Sequence, residues 1–270
     1  MKVLVIVSSS RGKGNTYKVT KQLEEKIKKL GDVEFNYLFL KETNLKLCRG
    51  CFTCVTRGEQ LCPIKDDRAK IEGQMLNSDG VIFISPVYVF NVTTLMKNFI
   101  DRFSYASHRP LFFNQSAMAI TTSAGGGIKE TLNYLESIAR SWGFNFVDRL
   151  GVITHPYLIH TSRYSSEIEN NMDATARKFY HSLKTKERKS PKLGELIQFR
   201  IMRIHAIDTK DYFTADFEYY KEKNLLEKSK KYFIDIEINF LKNLFAGMIE
   251  KLIIRAMSKR ITKRISTKRE

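Results

Sequence analysis

The 270-residue sequence has no run of about 18 uncharged apolar residues, which excludes a membrane-spanning helix. The opening MKVLVIVSSSRGKG is too short and wrongly flanked for a cleaved secretion signal, so the expected location is the cytoplasm. There is no internal repeat. The five histidines, His108, His155, His160, His181 and His205, show no ligand or triad spacing and are read as structural or surface residues. Acidic residues are the minority: 29 Asp and Glu face 46 Lys and Arg, a net charge of +17. With 43% hydrophobic and 28% charged residues the composition is that of a globular protein, which excludes collagen-like, mucin-like and wholly disordered chains.

The positive excess is uneven. Residues 1–180 carry 24 Lys and Arg against 17 Asp and Glu, whereas residues 181–270 carry 22 against 12. Such a basic last third favours an anionic partner: lipid, nucleic acid or a phosphorylated ligand. Nucleic acid is set aside because no recognisable module surrounds the basic residues.

The length is large for one core of about 100 to 200 residues and short for two full domains, so one domain with an appendage is expected. Lys2 to Val7 is an apolar run that reads as a buried strand. From Asn15 the period becomes helical through Val19, Leu23, Ile27 and Leu30, ending at Gly31. Further strands are predicted at Val33 to Leu40, Gly80 to Ser85, Ser116 to Thr121 and Phe144 to Ile153. Helices are predicted at Arg68 to Leu76, Val92 to Tyr105, Thr131 to Trp142 and Ile168 to Leu183. Strands alternating with helices require crossover connections and hence a parallel sheet covered on both faces. Five strands in this rhythm predict a doubly wound, flavodoxin-like α/β sheet of order 2-1-3-4-5. The domain is expected over residues 1–185 and a mostly helical extension over 186–270, with an aromatic cluster at Tyr212, Phe213, Phe217, Tyr219 and Tyr220.

Ligands of such sheets bind at the carboxyl ends of the strands, so three loops are read together. The first, Ser8 to Thr16, offers hydroxyls, the Arg11 guanidinium and backbone amides at a helix N-terminus, which suit a phosphate. It lacks the Gly-Lys-Ser/Thr of a Walker loop, and it also reads as a helix cap with solvated Ser and Lys. The second, Ser85 to Val92, has Pro86 to set the turn and the Tyr88 face for stacking. The third, Thr121 to Gly127, ends in glycines that admit a ligand to the backbone. The alternatives are core packing for Tyr88 and a flexible turn for the glycines.

Cysteine is confined to one loop, as Cys48-Arg-Gly-Cys51-Phe-Thr-Cys54 and then Cys62-Pro63. Three thiolates at C-x2-C-x2-C spacing can converge on one cubane, and Cys62 has the reach to complete four ligands. Tetrahedral zinc fits less well, since structural zinc sites usually join two separated C-x2-C hairpins. A group of thiols without metal is the remaining reading.

Taken together, these pieces resemble the NADPH-dependent FMN reductases of flavodoxin-like fold, and specifically their iron-sulfur flavoproteins. The resemblance rests on Ser9, Arg11, Gly14, Asn15 and Thr16, on CRGCFTC with Cys62 and Asp66-Asp67, and on SPVYVFNVTTLMKNFIDR. Ser8 and Ser10 depart from the Gly and Pro common at those places. The resemblance implies noncovalent FMN, its phosphate held by Ser9, Arg11, Asn15 and Thr16 beside Gly14. The ring would lie between Pro86, Val87, Tyr88, Phe90 and Asn91 on one side and Thr122, Ser123, Gly125, Gly126 and Gly127 on the other. It implies NAD(P)H as co-substrate and a quinone, flavin or other small molecule as electron acceptor. The second reading is a [4Fe-4S] cluster on Cys48, Cys51, Cys54 and Cys62 that exchanges electrons with a ferredoxin-like protein; the third is a membrane-associated flavin-binding redox sensor. A homodimer or homotetramer is implied as well.

The end of the chain carries one more signal. Leu241, Leu244, Phe245, Met248, Ile249, Leu252, Ile253, Ala256, Met257, Ile261 and Ile265 recur at three- and four-residue steps, predicting an apolar stripe on a long helix. The basic residues beside it predict peripheral contact with an anionic membrane. Packing of the stripe on the body or on a second subunit is the alternative.

Overall fold

The computed structural model describes residues 1–155 and 162–266, with side chains for residues 1–155 and 165–255. His160 therefore lies outside the described residues, as do the side chains of Ala256, Met257, Ile261 and Ile265. The chain divides into two compact units, Met1–Cys54 with Glu59–Arg188, and Val55–Gly58 with Lys189–Glu270.

The first unit holds five strands: β1 (Lys2–Val7), β2 (Glu34–Phe39), β3 (Gly80–Pro86), β4 (Ser116–Ser123) and β5 (Asn145–Ile153). Their order is β2-β1-β3-β4-β5 and every pairing is parallel, with Val3 opposite both Phe35 and Gly80. The helices are α1 (Asn15–Lys28), α2 (Arg68–Leu76), α3 (Thr94–Arg102), α4 (Ile128–Ser141) and α5 (Ser162–Thr185). This is the flavodoxin-like order predicted from the alternation of periods.

Period-two alternation sends the central strands' side chains into two cores, because parallel strands are covered on both faces. Val3, Val5 and Val7 join Ile82, Ile84, Met118 and Ile120 under α1 and α5, where Val19, Leu23, Ile27 and Phe179 close the layer. The opposite face is aromatic: Phe83 meets Phe144 edge-on at 5.6 Å, Phe144 stacks on Phe112 at 4.5 Å, and Trp142 packs on Phe99 and Phe103.

Several boundaries differ from the sequence reading: α4 begins at Ile128 rather than Thr131, and α5 at Ser162 rather than Ile168. Strand β4 runs two residues further, so Thr122 and Ser123 belong to its end rather than to the loop, held by Val87 N–H donating to Thr122 O at 2.9 Å. Helix α3 occupies only the middle of the predicted segment: Thr93 caps it, its hydroxyl accepting from Met96 N–H, and Ser104–Ser107 form a separate 3-10 turn. Leu30 lies past the end of α1 and is exposed.

The second unit contains α6 (Leu193–Asp208), α7 (Thr214–Glu222) and α8 (Phe240–Ser266). Phe199, Tyr220, Tyr232 and Phe233 form its buried aromatic centre, with Phe199 and Phe233 edge-on at 4.9 Å. Only Tyr220 of the predicted aromatic cluster is fully buried, and Tyr212 is exposed. Thr214 Oγ1 donates to Thr56 O at 3.2 Å, which ties the short Val55–Gly58 segment to α7.

Candidate functional site

The three loops read from the sequence meet at the carboxyl ends of β1, β3 and β4. Thr16, in the first turn of α1, shares a hydrogen bond of 2.6 Å with Thr122 at the end of β4, and both are buried. Ser10 and Tyr88 share one at 3.3 Å, bridging the first loop to the second. Thr93 Oγ1 donates to Ser8 O at 3.0 Å, anchoring the start of α3 under the first loop. Ser9 is buried, whereas Arg11 and Asn15 stand exposed at the rim.

The first loop gathers hydroxyl, guanidinium and backbone N–H donors at the start of α1. Gly14 is the N-cap of α1 and provides no side-chain cap, and the first turn has no acidic residue. The helix-cap alternative is thus not realised, and the N-terminal N–H groups are left for an anion. Gly12 turns the loop at φ +66°, where a Cβ would sit 2.8 Å from Lys41 Nζ. Lys41 brings a third cation to this loop, beside Arg11 and Lys13. No motif marked it; only its place just after β2 does.

The second loop is a tight hairpin. Tyr88 and Asn91 exchange backbone hydrogen bonds of 2.8 and 3.0 Å, and Val89 and Phe90 between them take φ of +47° and +61°. Positive φ at both central residues is the primed turn that suits Asn or Gly, so two apolar residues here are strained outliers. Tyr88 is 43% exposed, which removes the core-packing alternative. Phe90 lies over the third loop, where a Cβ on Gly126 would meet its ring at 3.3 Å. Gly127, at φ +87°, leaves no room for a side chain: a Cβ would lie 2.6 Å from Val87 Cγ1 and 2.9 Å from Phe90 Cα. Ser123 Oγ donates to Gly126 O and accepts from Gly125 N–H, so this glycine turn is internally braced.

The cysteine loop is closed at its neck by two aspartates. Asp66 accepts from Lys46 N–H at 3.0 Å, and Asp67 accepts from Asn44 N–H at 2.8 Å. Two residues one turn apart on α3 then hold its sides. Asn98 accepts from Cys48 N–H at 3.0 Å and donates to Leu45 O and Lys46 O. Arg102 makes a two-pronged pair with Asp66 at 2.8 and 3.0 Å and donates to Cys62 Sγ at 3.2 Å, with both charged side chains almost wholly buried. Burial pushes Asp66 up, but the hydrogen bonds from Arg102 and from the Arg68 and Lys46 N–H groups, with the Arg102 charge, together outweigh it and hold the carboxyl below its usual range. Arg109 donates to Cys54 O at 2.6 Å and pairs with Glu59. Asn98, Arg102 and Arg109 were not singled out from the sequence. The signal for the first two was their four-residue spacing on one helix face.

All four thiols are free, with Cys54 and Cys62 buried, Cys48 half-buried and Cys51 exposed. Burial raises the Cys54 thiol, and the hydrogen bond to Thr53 lowers that of Cys51. Among the described residues no three cysteine sulfurs lie within 4.8 Å of one another. A zinc ion with bonds near 2.3 Å would hold its thiolates about 3.8 Å apart, closer together than any three of these sulfurs stand here. Thiolates on separate irons of a cubane stand further apart, and four thiols with an arginine at one sulfur fit that donor set. Cys48 shares a cavity of about 450 Å³ with Asn91, Val92, Lys97 and Asn98, which joins the cysteine loop to the second strand-end loop. A second cavity of about 470 Å³, bounded by Asp79, Gln115 and Arg188, lies at the amino end of the sheet, away from these loops.

The NADPH-dependent FMN reductase family model matches residues 1–156. An iron-sulfur flavoprotein of Archaeoglobus fulgidus is 29% identical over 84% of this chain and 100% of its own length. Another, of Clostridioides difficile, is 30% identical over 82% of this chain and 95% of its own. Among solved structures, a flavone reductase aligns with TM-score 0.54 and 15% identity over 70% of this chain and 65% of that one. RosB with its bound intermediate 8-demethyl-8-formylriboflavin-5'-phosphate aligns with TM-score 0.56 and 10% identity over 89% of this chain and 92% of its own. At these identities the structural likeness concerns the fold. The match over the strand-loop framework and the near-complete coverage of the sequence relatives lead to one conclusion: the chain belongs to the NADPH-dependent FMN reductase family, with iron-sulfur flavoproteins as its relatives.

Proposed function

We propose that this flavin-dependent oxidoreductase binds FMN at the carboxyl ends of β1, β3 and β4, takes reducing equivalents from NAD(P)H, and passes them to a quinone, a free flavin or another small acceptor. The observation that carries the reading is the uncapped α1 N-terminus beside Ser9, Arg11, Asn15 and Thr16, tied to the other two loops by the Thr16–Thr122 and Ser10–Tyr88 hydrogen bonds. These groups would hold the phosphate as backbone and side-chain donors around an anion. Tyr88 and Phe90 on one side and Thr122 to Gly127 on the other would flank the ring, the glycines leaving backbone amides open to its polar edge. FMN, when bound, supplies hydride acceptance and return of electrons singly or in pairs. The residues of this chain bind, orient and shield; none of them needs to move a proton.

Arg11→Ala is expected to weaken FMN binding by about 1 to 3 kcal/mol, the range for a lost charged hydrogen bond. Fluorescence titration of flavin-free protein measures it. Wild-type protein that is folded, flavin-free and unable to take up added FMN overturns the assignment. Rapid anaerobic bleaching of bound flavin by NAD(P)H supports the reductase reading.

The order imposed on the cysteine loop favours a second reading. Cys48, Cys51, Cys54 and Cys62 would hold a [4Fe-4S] cluster, which supplies single-electron exchange with a ferredoxin-like partner. Cys51→Ser should then abolish bound iron while leaving the flavin content unchanged. Iron and sulfide assays on protein made without oxygen decide it, and an iron-free wild type made with ample iron ends this reading.

A further inference from the structure

Helix α8 turns Asn243, Ala246 and Glu250 to its own unit, half-buries Ile249 and Ile253 of the predicted stripe, and leaves the other large apolar residues of that stripe with described side chains exposed. Asn243, Ala246 and Glu250 recur at helical spacing and form the inner face. Ala246 is fully buried, Asn243 Oδ1 accepts from Arg200 at 2.6 Å, and Glu250 accepts from Arg200 and Arg203. On the other side Leu241, Leu244, Phe245, Met248 and Leu252 are 50 to 61% exposed. A helix that only packs on its own unit shows the reverse pattern, with its apolar stripe inward. This stripe calls for an occupant.

Charge identifies the occupant. Residues 251–270 carry Lys251, Arg255, Lys259, Arg260, Lys263, Arg264, Lys268 and Arg269 against Glu270 alone, a net +7. Lys251 and Arg255 are exposed next to the stripe. A second copy would bring another segment of the same positive charge and so no complementary charge to the contact. An anionic lipid surface accepts both features, since apolar side chains enter the acyl boundary while Lys and Arg stay among the headgroups. No helix among the described residues is long and apolar enough to cross a membrane, so α8 would lie in the interface. We propose that α8 is an interfacial anchor for anionic membranes, inserted through Leu241, Leu244, Phe245, Met248 and Leu252.

The test is co-sedimentation of the full-length protein with vesicles of phosphatidylcholine alone and of phosphatidylcholine with phosphatidylglycerol. Binding to the anionic vesicles is expected, falling at least about tenfold when added salt shortens the screening length from about 10 Å towards 3 Å. The double substitution Phe245→Glu with Met248→Glu lies outside the inner face and should abolish binding. Circular dichroism, together with the thermal unfolding midpoint, checks that the variant is folded, without relying on flavin. Absence of wild-type binding to anionic vesicles overturns the proposal. So does equal binding by the folded variant, or a variant whose only change is loss of an oligomer in sedimentation velocity, which would assign the stripe to a second copy.

Discussion

Arg102→Met is expected to destabilise the first unit by about 3 to 5 kcal/mol, the range for breaking a buried ion pair by removing one partner. The pair qualifies because the Arg102 and Asp66 side chains are only 2% and 1% exposed. Methionine fills much of the volume but leaves Asp66 charged and buried, keeping only the backbone donors of Lys46 and Arg68. It also releases Cys62 Sγ and Ile64 O, both of which receive hydrogen bonds from Arg102. Urea denaturation measures the loss, and limited proteolysis should show faster cleavage between residues 44 and 66. Adding Asp66→Leu should recover part of the stability, since a hydrophobic pair tolerates burial that a lone carboxylate does not. A single-variant loss below about 1 kcal/mol would show that the pair does not hold the loop.

That result concerns a part of the molecule the sequence shows only indirectly. The strand order was legible because the β1 run, the helical period after Asn15 and the later alternations each obey a local rule, and parallel connection leaves few topologies. The cysteines were legible for the same reason, as spacing within one short segment. What holds them was not, because Arg102 lies 40 residues beyond Cys62 and Asn98 lies 50 beyond Cys48. Contacts across that distance in sequence are set by how α3 packs, and neither residue type announces it. Phe90 shows a different limit: Pro86 marked a turn in this loop, but a bulky apolar side chain at φ +61° goes against turn propensity, so nothing placed the hairpin at Val89-Phe90, facing Gly127. The apolar stripe of α8 was visible as periodicity. Which way it faces depends on Asn243 and Glu250, whose partners Arg200 and Arg203 lie on α6.

Glu250→Gln tests those partners and is expected to cost about 2 to 3 kcal/mol of stability at neutral pH. The estimate sits at or below the range for fully buried pairs, because Glu250 keeps 16% exposure while Arg200 and Arg203 have 7% and 6%. One carboxylate neutralises two guanidinium groups, so its removal leaves both cations facing each other under α8. Asn243 still accepts from Arg200, and the carbonyls of Glu227 and Lys230 still accept from Arg203, which limits the loss. Burial pushes the Glu250 carboxyl up, but the hydrogen bonds from Arg203 and Arg200 outweigh it and hold it below its ordinary range. A carboxyl depressed on folding contributes stability that is complete above its unfolded value of about 4.3 and is lost as the pH falls through the folded value. The gap between wild type and Glu250→Gln should therefore be widest near pH 7 and close progressively below about pH 4. Urea denaturation at both pH values, with hydrogen exchange in α6 and α8 as the local probe, measures it. A gap that does not change with pH would mean that Glu250 acts through packing rather than charge, and that the arginine pair does not orient α8.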